Sequence, residues 1–135
     1  MVVLDSSFLI AYHNTRDAHH RSASAAMERL LSGEWGPALL LEYVFLEVAT
    51  VLLARRGIET AAKVASVLLA AREVEFVPCS ELFVEALETF RTQRKAALSF
   101  TDAAIVALAR RREARFIATF DRDFLDLGVA TIVPA

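Results

Sequence analysis

The sequence predicts an α/β fold, a three-layer α/β/α arrangement in which four to five short parallel strands are covered by helices on both faces. Three observations carry that reading. Short apolar runs, VVL, ALLL, VEFVP, RFIATF and TIVP, recur along the chain and are bounded by turn residues. Longer stretches with helix-starting and helix-stopping signals lie between them. Strands alternating with helical stretches are the pattern of crossover units, whose strands run parallel beneath helices on both faces.

The elements follow in order. VVL at 2–4 is a buried-type strand that ends at Asp5, and residues 6–12 read as a first short helix. HNTRDAHHR is a polar loop in which Asp17 is placed to cap a helix from about 18 to 32. EWGP makes a turn into the second strand at 38–41, and the helix after it, 42–56, stops at Gly57. Residues 58–72 form a helix that is apolar almost all round, which predicts deep burial or contact with a second copy of the chain. VEFVP at 74–78 is the third strand. Ser80 opens a helix to about 92, and RTQRKAALS is a basic loop. Ser99 starts a helix through Arg112; RFIATF, a short helical turn in DRDFLDLG, and the strand TIVP complete the chain. With no repeat, linker or low-complexity segment, one domain over residues 1–135 is expected.

Composition narrows the class. Hydrophobic residues make up 56% of the 135, yet Glu47, Lys63 and Arg72 interrupt the richest segments, so no run reaches membrane-spanning length. So apolar a chain is expected to bury surface against a partner, with a homodimer as the simplest form. The first residues lack a basic leader and carry an aspartate in their apolar run, unlike a signal peptide. A single cysteine, Cys79, fits a reducing cytoplasm. The net charge of −2 argues against a broad electrostatic clamp on nucleic acid, and four scattered glycines leave no phosphate-binding glycine motif.

Parallel crossovers gather certain acids. Residues just after strands, or in the first turns of the following helices, meet at one edge of the sheet, where ligands of such folds bind. Asp5 follows the first strand, Glu47 lies in the second turn after the second, Asp102 in the first turn after Ser99, and Asp121 and Asp123 follow the fourth. Each also has a local explanation. Asp121 suits a turn cap, Asp102 completes an S-x-x-D capping pattern, and Asp5 suits a turn. Glu47 resists one. It is the only charged residue between Glu42 and Arg55, and no cation lies three or four positions away on its helix. Four facing carboxylates repel unless a cation sits among them, and hard oxygen donors suit Mg²⁺ or Mn²⁺. Asp121 is the better ligand of its pair, and Asp123 is a supporting acid or turn residue.

The blocks LDSSFLIAYHNTRDAHHRSA, LLLEYVFLEVATVLLARRG and LSFTDAAIVALARRREARFIATFDRDF resemble, in the same order and over nearly the whole length, those of PIN-domain ribonucleases, especially VapC-type toxins of bacterial toxin–antitoxin pairs. The resemblance implies that Asp5, Glu47, Asp102 and Asp121 are the four active-site acids. It places Ser7 as an assisting hydroxyl and Thr101 and Thr119 as polar neighbours. It further implies Mg²⁺- or Mn²⁺-dependent hydrolysis of RNA, a cognate antitoxin partner, and products with 5′-phosphate and 3′-hydroxyl ends. Glu42 also follows the second strand, but five residues from Glu47 it points elsewhere, and the motif selects Glu47.

Other residues carry weaker signals. Arg91, Arg94 and Lys95 precede the helix bearing Asp102 and are candidate RNA phosphate contacts, with a solvated loop as the plain alternative. His13, His19 and His20 read as structural or surface residues, and Arg110, Arg111, Arg112 and Arg115 as cations at a helix C-terminus. A receiver-like or aspartyl-phosphate domain lacks its D-x-D and its late lysine here. The rival from another class is a PIN-like scaffold that binds RNA or protein without cutting.

Overall fold

The computed structural model describes residues 1–134. Five parallel strands, β1 (Val2–Leu4), β2 (Ala38–Leu41), β3 (Val74–Val77), β4 (Phe116–Ala118) and β5 (Thr131–Val133), form one sheet in the order β3-β2-β1-β4-β5. Every residue of β1 and β2 is buried. Burial on both faces is why these strands read as unbroken apolar runs. Six helices cover the sheet: α1 (Ser6–His13), α2 (His20–Leu31), α3 (Glu42–Arg56), α4 (Ile58–Ala70), α5 (Phe83–Thr92) and α6 (Phe100–Arg111). They pack in two groups, α1 against α2 and α3 with α4 beyond, and α5 against α6.

The strand order matters for the site. From β1 the chain goes to β2 on one side and later returns to β4 on the other, so the order reverses between β1 and β4. A crevice opens at the carboxyl ends of the strands at such a point. Register fixes its floor: Leu4 lies opposite Ala118, and the ladder runs one step further through Asp5 N–H to the Ala118 carbonyl at 3.0 Å. α6 is held tightly below, with Ala103 through Ala109 all buried. Its alanines leave no bulk to hold the sheet away.

Several boundaries differ from the sequence reading. Asp17 accepts a hydrogen bond from His19 N–H at 2.8 Å, so it shapes the turn before α2, and the helix starts at His20 rather than near 18. Residues Cys79–Glu81 form a 3-10 turn, and α5 begins only at Phe83. One cause is visible: Cys79 N–H donates to Glu42 Oε1 at 3.0 Å, which holds that turn against α3. β4 is shorter than RFIATF, because Thr119 and Phe120 turn into the site. α4 is not buried all round; Ala61, Val64 and Leu68 face inward while Ile58, Val67 and Leu69 are exposed. Trp35 is buried against Phe116 with the Arg29 guanidinium over its ring, a packing residue.

Gly57 is the sole link between α3 and α4. Its backbone, φ +86° and ψ 171°, lies in a region that side-chain-bearing residues avoid, although no atom would touch an added methyl. Strain alone therefore sets the cost. Gly57→Ala is expected to destabilise the fold by about 1–3 kcal/mol, read as a lower urea midpoint with an unchanged slope; an unchanged midpoint would contradict the assignment.

Candidate active site

At the carboxyl edge of β1 and β4, Asp5 is 3% exposed. A carboxylate so deep needs donors, and two hydroxyls supply them. Ser7 Oγ donates to Asp5 Oδ2 at 2.7 Å, and Thr119 Oγ1 donates to the same oxygen at 2.6 Å. The two hydroxyls lie 3.1 Å from each other. Each also accepts a backbone N–H from the loop after β4, Ser7 from Phe120 at 2.9 Å and Thr119 from Asp121 at 2.9 Å. Asp5, the start of α1 and the loop carrying Asp121 thus form one hydrogen-bonded unit.

Asp121 caps the short 3-10 turn Arg122–Phe124 by accepting Asp123 N–H on Oδ1 at 2.8 Å. The local explanation for Asp121 therefore holds, and it uses one carboxylate oxygen. Asp123 is exposed and enters through its backbone. Asp102 sits half-buried in the first turn of α6, its N–H donating to the Ser99 cap at 3.1 Å. Thr101 lies half-buried beside it. The first turn of α6 is anchored by Phe100, whose ring meets Tyr43 edge-on and lies within 6 Å of the rings of Phe83 and Phe90. That aromatic cluster joins α3, α5 and α6 and sets where Asp102 stands. Sequence reasoning missed it.

Glu47 is exposed rather than enclosed by its apolar neighbours, because α3 turns it towards the rim of the edge. Ser6 Oγ donates to its Oε1, across 41 residues of sequence. Ser6 was not singled out from the sequence; the only signal was that two serines, not one, follow Asp5. Glu42 is tied to Cys79, which removes it from the site. Burial, followed by the nearby Glu42, pushes the Cys79 thiol up, so it stays protonated and inert.

The acids sense one another. The Asp102 carboxyl is pushed up to about 6, first by burial, then by the charge of Asp5, with Asp121 adding to it and hydrogen bonds from Ser99 opposing. Among the described residues, however, no three His, Cys, Asp or Glu side chains stand close enough to hold a metal ion as they are. The two facts are compatible, since charge acts beyond the reach of a coordination bond. None of the ion pairs among the described residues involves Asp5, Glu47, Asp102 or Asp121. The donor set is thus hard carboxylate oxygen without a side-chain cation, which fits a divalent ion in its chemistry.

The basic candidates lie apart. Arg91 pairs with Glu88 at 2.8 Å on α5. Arg94 and Lys95 line a separate groove of about 300 Å³ with Arg110 and Asp126 that contains none of the four acids. Arg111 and Arg112 serve the fold, donating to the Glu81 carbonyl and to Glu75. His20 hydrogen-bonds the Ala11 carbonyl at 2.9 Å, a structural role.

A parallel sheet with this strand order and with acids at the switch point defines an open α/β domain whose crevice at the carboxyl edge carries the acidic side chains. Residues 2–130 match the PIN domain model, and the chain belongs to the PIN domain family. Among solved structures it is similar to VapC20 of Mycobacterium tuberculosis, described as a toxin that cleaves the sarcin-ricin loop, with 27% identity and a TM-score of 0.83 over 96% of this chain and 97% of that one. It shares its fold with a toxin–antitoxin complex from Klebsiella pneumoniae (17% identity, TM-score 0.68, 97% and 96% covered). The same holds for FitAcB from Neisseria gonorrhoeae (15%, 0.67, 98% and 96%). No curated protein sequence matches the chain.

Asp102 yields a pH prediction with a defined sign. Its folded value is raised from 3.8 to about 6, so between those values the folded state holds a proton that the unfolded state has lost. Stability from this group is therefore greatest at low pH and declines as pH rises through about 6. Thermal melts in EDTA across this range are expected to show a smaller decline in Asp102→Asn than in the unaltered protein. Parallel curves would remove Asp102 from the charge cluster.

Proposed function

We propose that this protein is a metal-dependent endoribonuclease, the toxin of a type II toxin–antitoxin pair. The observation that carries the reading is the union of PIN family membership with a buried Asp5 fixed at the switch point and an Asp102 that feels both Asp5 and Asp121. The likeness to a toxin that cleaves the sarcin-ricin loop, over nearly both full lengths, supports it.

In this reading Asp5, Asp102 and Asp121, with Glu47 at the rim, hold Mg²⁺ or Mn²⁺. The ion, when bound, neutralises charge on the scissile phosphate and lowers the pKa of the attacking water. The chain's own part is positioning. Ser7 and Thr119 keep Asp5 in one orientation, and the capped turn keeps one oxygen of Asp121 engaged and the other available. Ser6 steadies Glu47, which is exposed enough to orient a water or accept its proton. Burial and the neighbouring acids hold the Asp102 carboxyl up at about 6, so cation binding and activity should strengthen as pH rises through that value. Arg94 and Lys95 are proposed as outlying phosphate contacts for a long RNA.

The partner proposals follow. A cognate antitoxin is inferred from the relatives, one of them solved as a toxin–antitoxin complex. The exposed Ile58, Val67 and Leu69 of α4 are the reason to expect a homodimer. Light scattering at micromolar concentration should give twice the chain mass; a monomer removes that proposal. One domain over the whole chain and a cytoplasmic location complete the reading, and no helix among the described residues is long and apolar enough to cross a membrane.

RNA cleavage with Mg²⁺ or Mn²⁺, abolished by EDTA, is the expected result, and Asp5→Asn should lower the rate by at least about 100-fold. Saturating Mn²⁺ at ~100 times its Kd should add about 2.7 kcal/mol to stability, with a smaller gain in Asp5→Asn. Cleavage indifferent to EDTA or to Asp5→Asn would refute the mechanism. Intact RNA bound tightly in Mn²⁺ would favour the non-cleaving scaffold.

A further inference from the structure

Beside the acids, an aromatic ladder climbs out of the core. Phe8, fully buried in α1, stacks on Phe120 with centroids 6.3 Å apart and planes at 25°. Phe120 stacks in turn on His19, at 4.5 Å and 8°. Exposure grows along the ladder: Phe8 is buried, Phe120 half-buried and His19 exposed. Phe120 is placed by the active-site network itself, since its N–H is held by Ser7 and its chain neighbour is Asp121. A groove of about 320 Å³ runs along this ladder, lined by His19, Phe120, Ser7, Glu47 and Arg55 among others. That volume sits at the lower end of sites for small ligand groups, about 300–1,000 Å³. Arg55 is exposed and joins none of the ion pairs among the described residues.

We propose that the His19–Phe120 stack is a base-binding platform of the RNA cleft, which takes one unpaired nucleobase beside the phosphate at the acids, with Arg55 meeting an adjoining phosphate. The proposal rests on the nuclease reading above and deepens it to a class of substrate. An exposed imidazole parallel to a ring anchored in the core offers a flat face of fixed orientation, and every base has a face to stack on it. A base inside a duplex is already stacked on both sides, so the platform selects loops, bulges and single strands over helices. The cation at Arg55 adds position without sequence preference.

The test uses short single-stranded RNAs carrying 2-aminopurine at successive positions, bound to the full chain in EDTA so that no cleavage intervenes. One position should be quenched on binding. His19→Ala should bind roughly 5- to 150-fold more weakly and lose the quenching, while His19→Phe, which keeps a flat face, should retain both. Phe120→Leu should behave like His19→Ala, and Phe120→Trp like the unaltered protein; urea melts of each identify any variant that fails by unfolding. A duplex of the same sequence should bind more weakly. Unchanged binding and quenching in His19→Ala, or equal loss in His19→Ala and His19→Phe with both folded, would overturn the platform. The two readings fail separately. Metal-dependent cleavage that His19→Ala leaves unchanged in KM and kcat sinks the platform alone, whereas quenching at one position without cleavage in Mn²⁺ sinks the nuclease alone.

Discussion

The arrangement depends on a carboxylate buried where the strand order reverses. Asp5 is almost wholly removed from water, and the cost of that removal, several kcal/mol without donors, is met by Ser7 and Thr119. Because the same hydroxyls receive the N–H groups of Phe120 and Asp121, the carboxylate's orientation and the course of the loop after β4 are set together. Lose either hydroxyl and two things loosen at once. A buried network of this kind is worth most when every member is satisfied. Here no fully buried side-chain nitrogen or oxygen among the described residues lacks a partner.

Around that fixed point the chain maintains charge it would otherwise avoid. Asp102 is driven towards its neutral form by burial and by two like charges, and no arginine or lysine among the described residues relieves it. Such unrelieved repulsion lowers stability as pH rises and Asp102 takes on its charge.

Much of this was legible in the sequence, for definite reasons. β1 and β2 are buried on both faces, so their apolar runs were unambiguous, and Gly57 and Ser99 marked helix ends by backbone chemistry that is local. That Asp102 feels the charges of Asp5 and Asp121 accords with parallel topology, although among the described residues no three acids stand close enough to hold a metal ion. What escaped was tertiary. The exposure of Glu47 was not fixed by its apolar sequence neighbours, since it depends on the face that α3 presents. The Ser6–Glu47 bond, the Phe100 cluster and the His19–Phe120 stack join residues tens of positions apart or more, and no periodicity announces them. The 3-10 turn at Cys79 arose from a side-chain acceptor on another helix.

Because all five strands point the same way, the sheet has two unequal rims. The loops at 32–37, 71–73 and 112–115 enter strands at their amino ends, opposite the acids. At Gly33, in the first of them, a side chain would meet no other atom, although its positive φ would strain it. Insertions there would lengthen a surface turn far from the hydroxyl-held aspartate. Gly33 is thus a tolerant point on one rim, while on the other a single residue added between Ala118 and Asp121 would pull the loop after β4 away from the hydroxyls that hold Asp5.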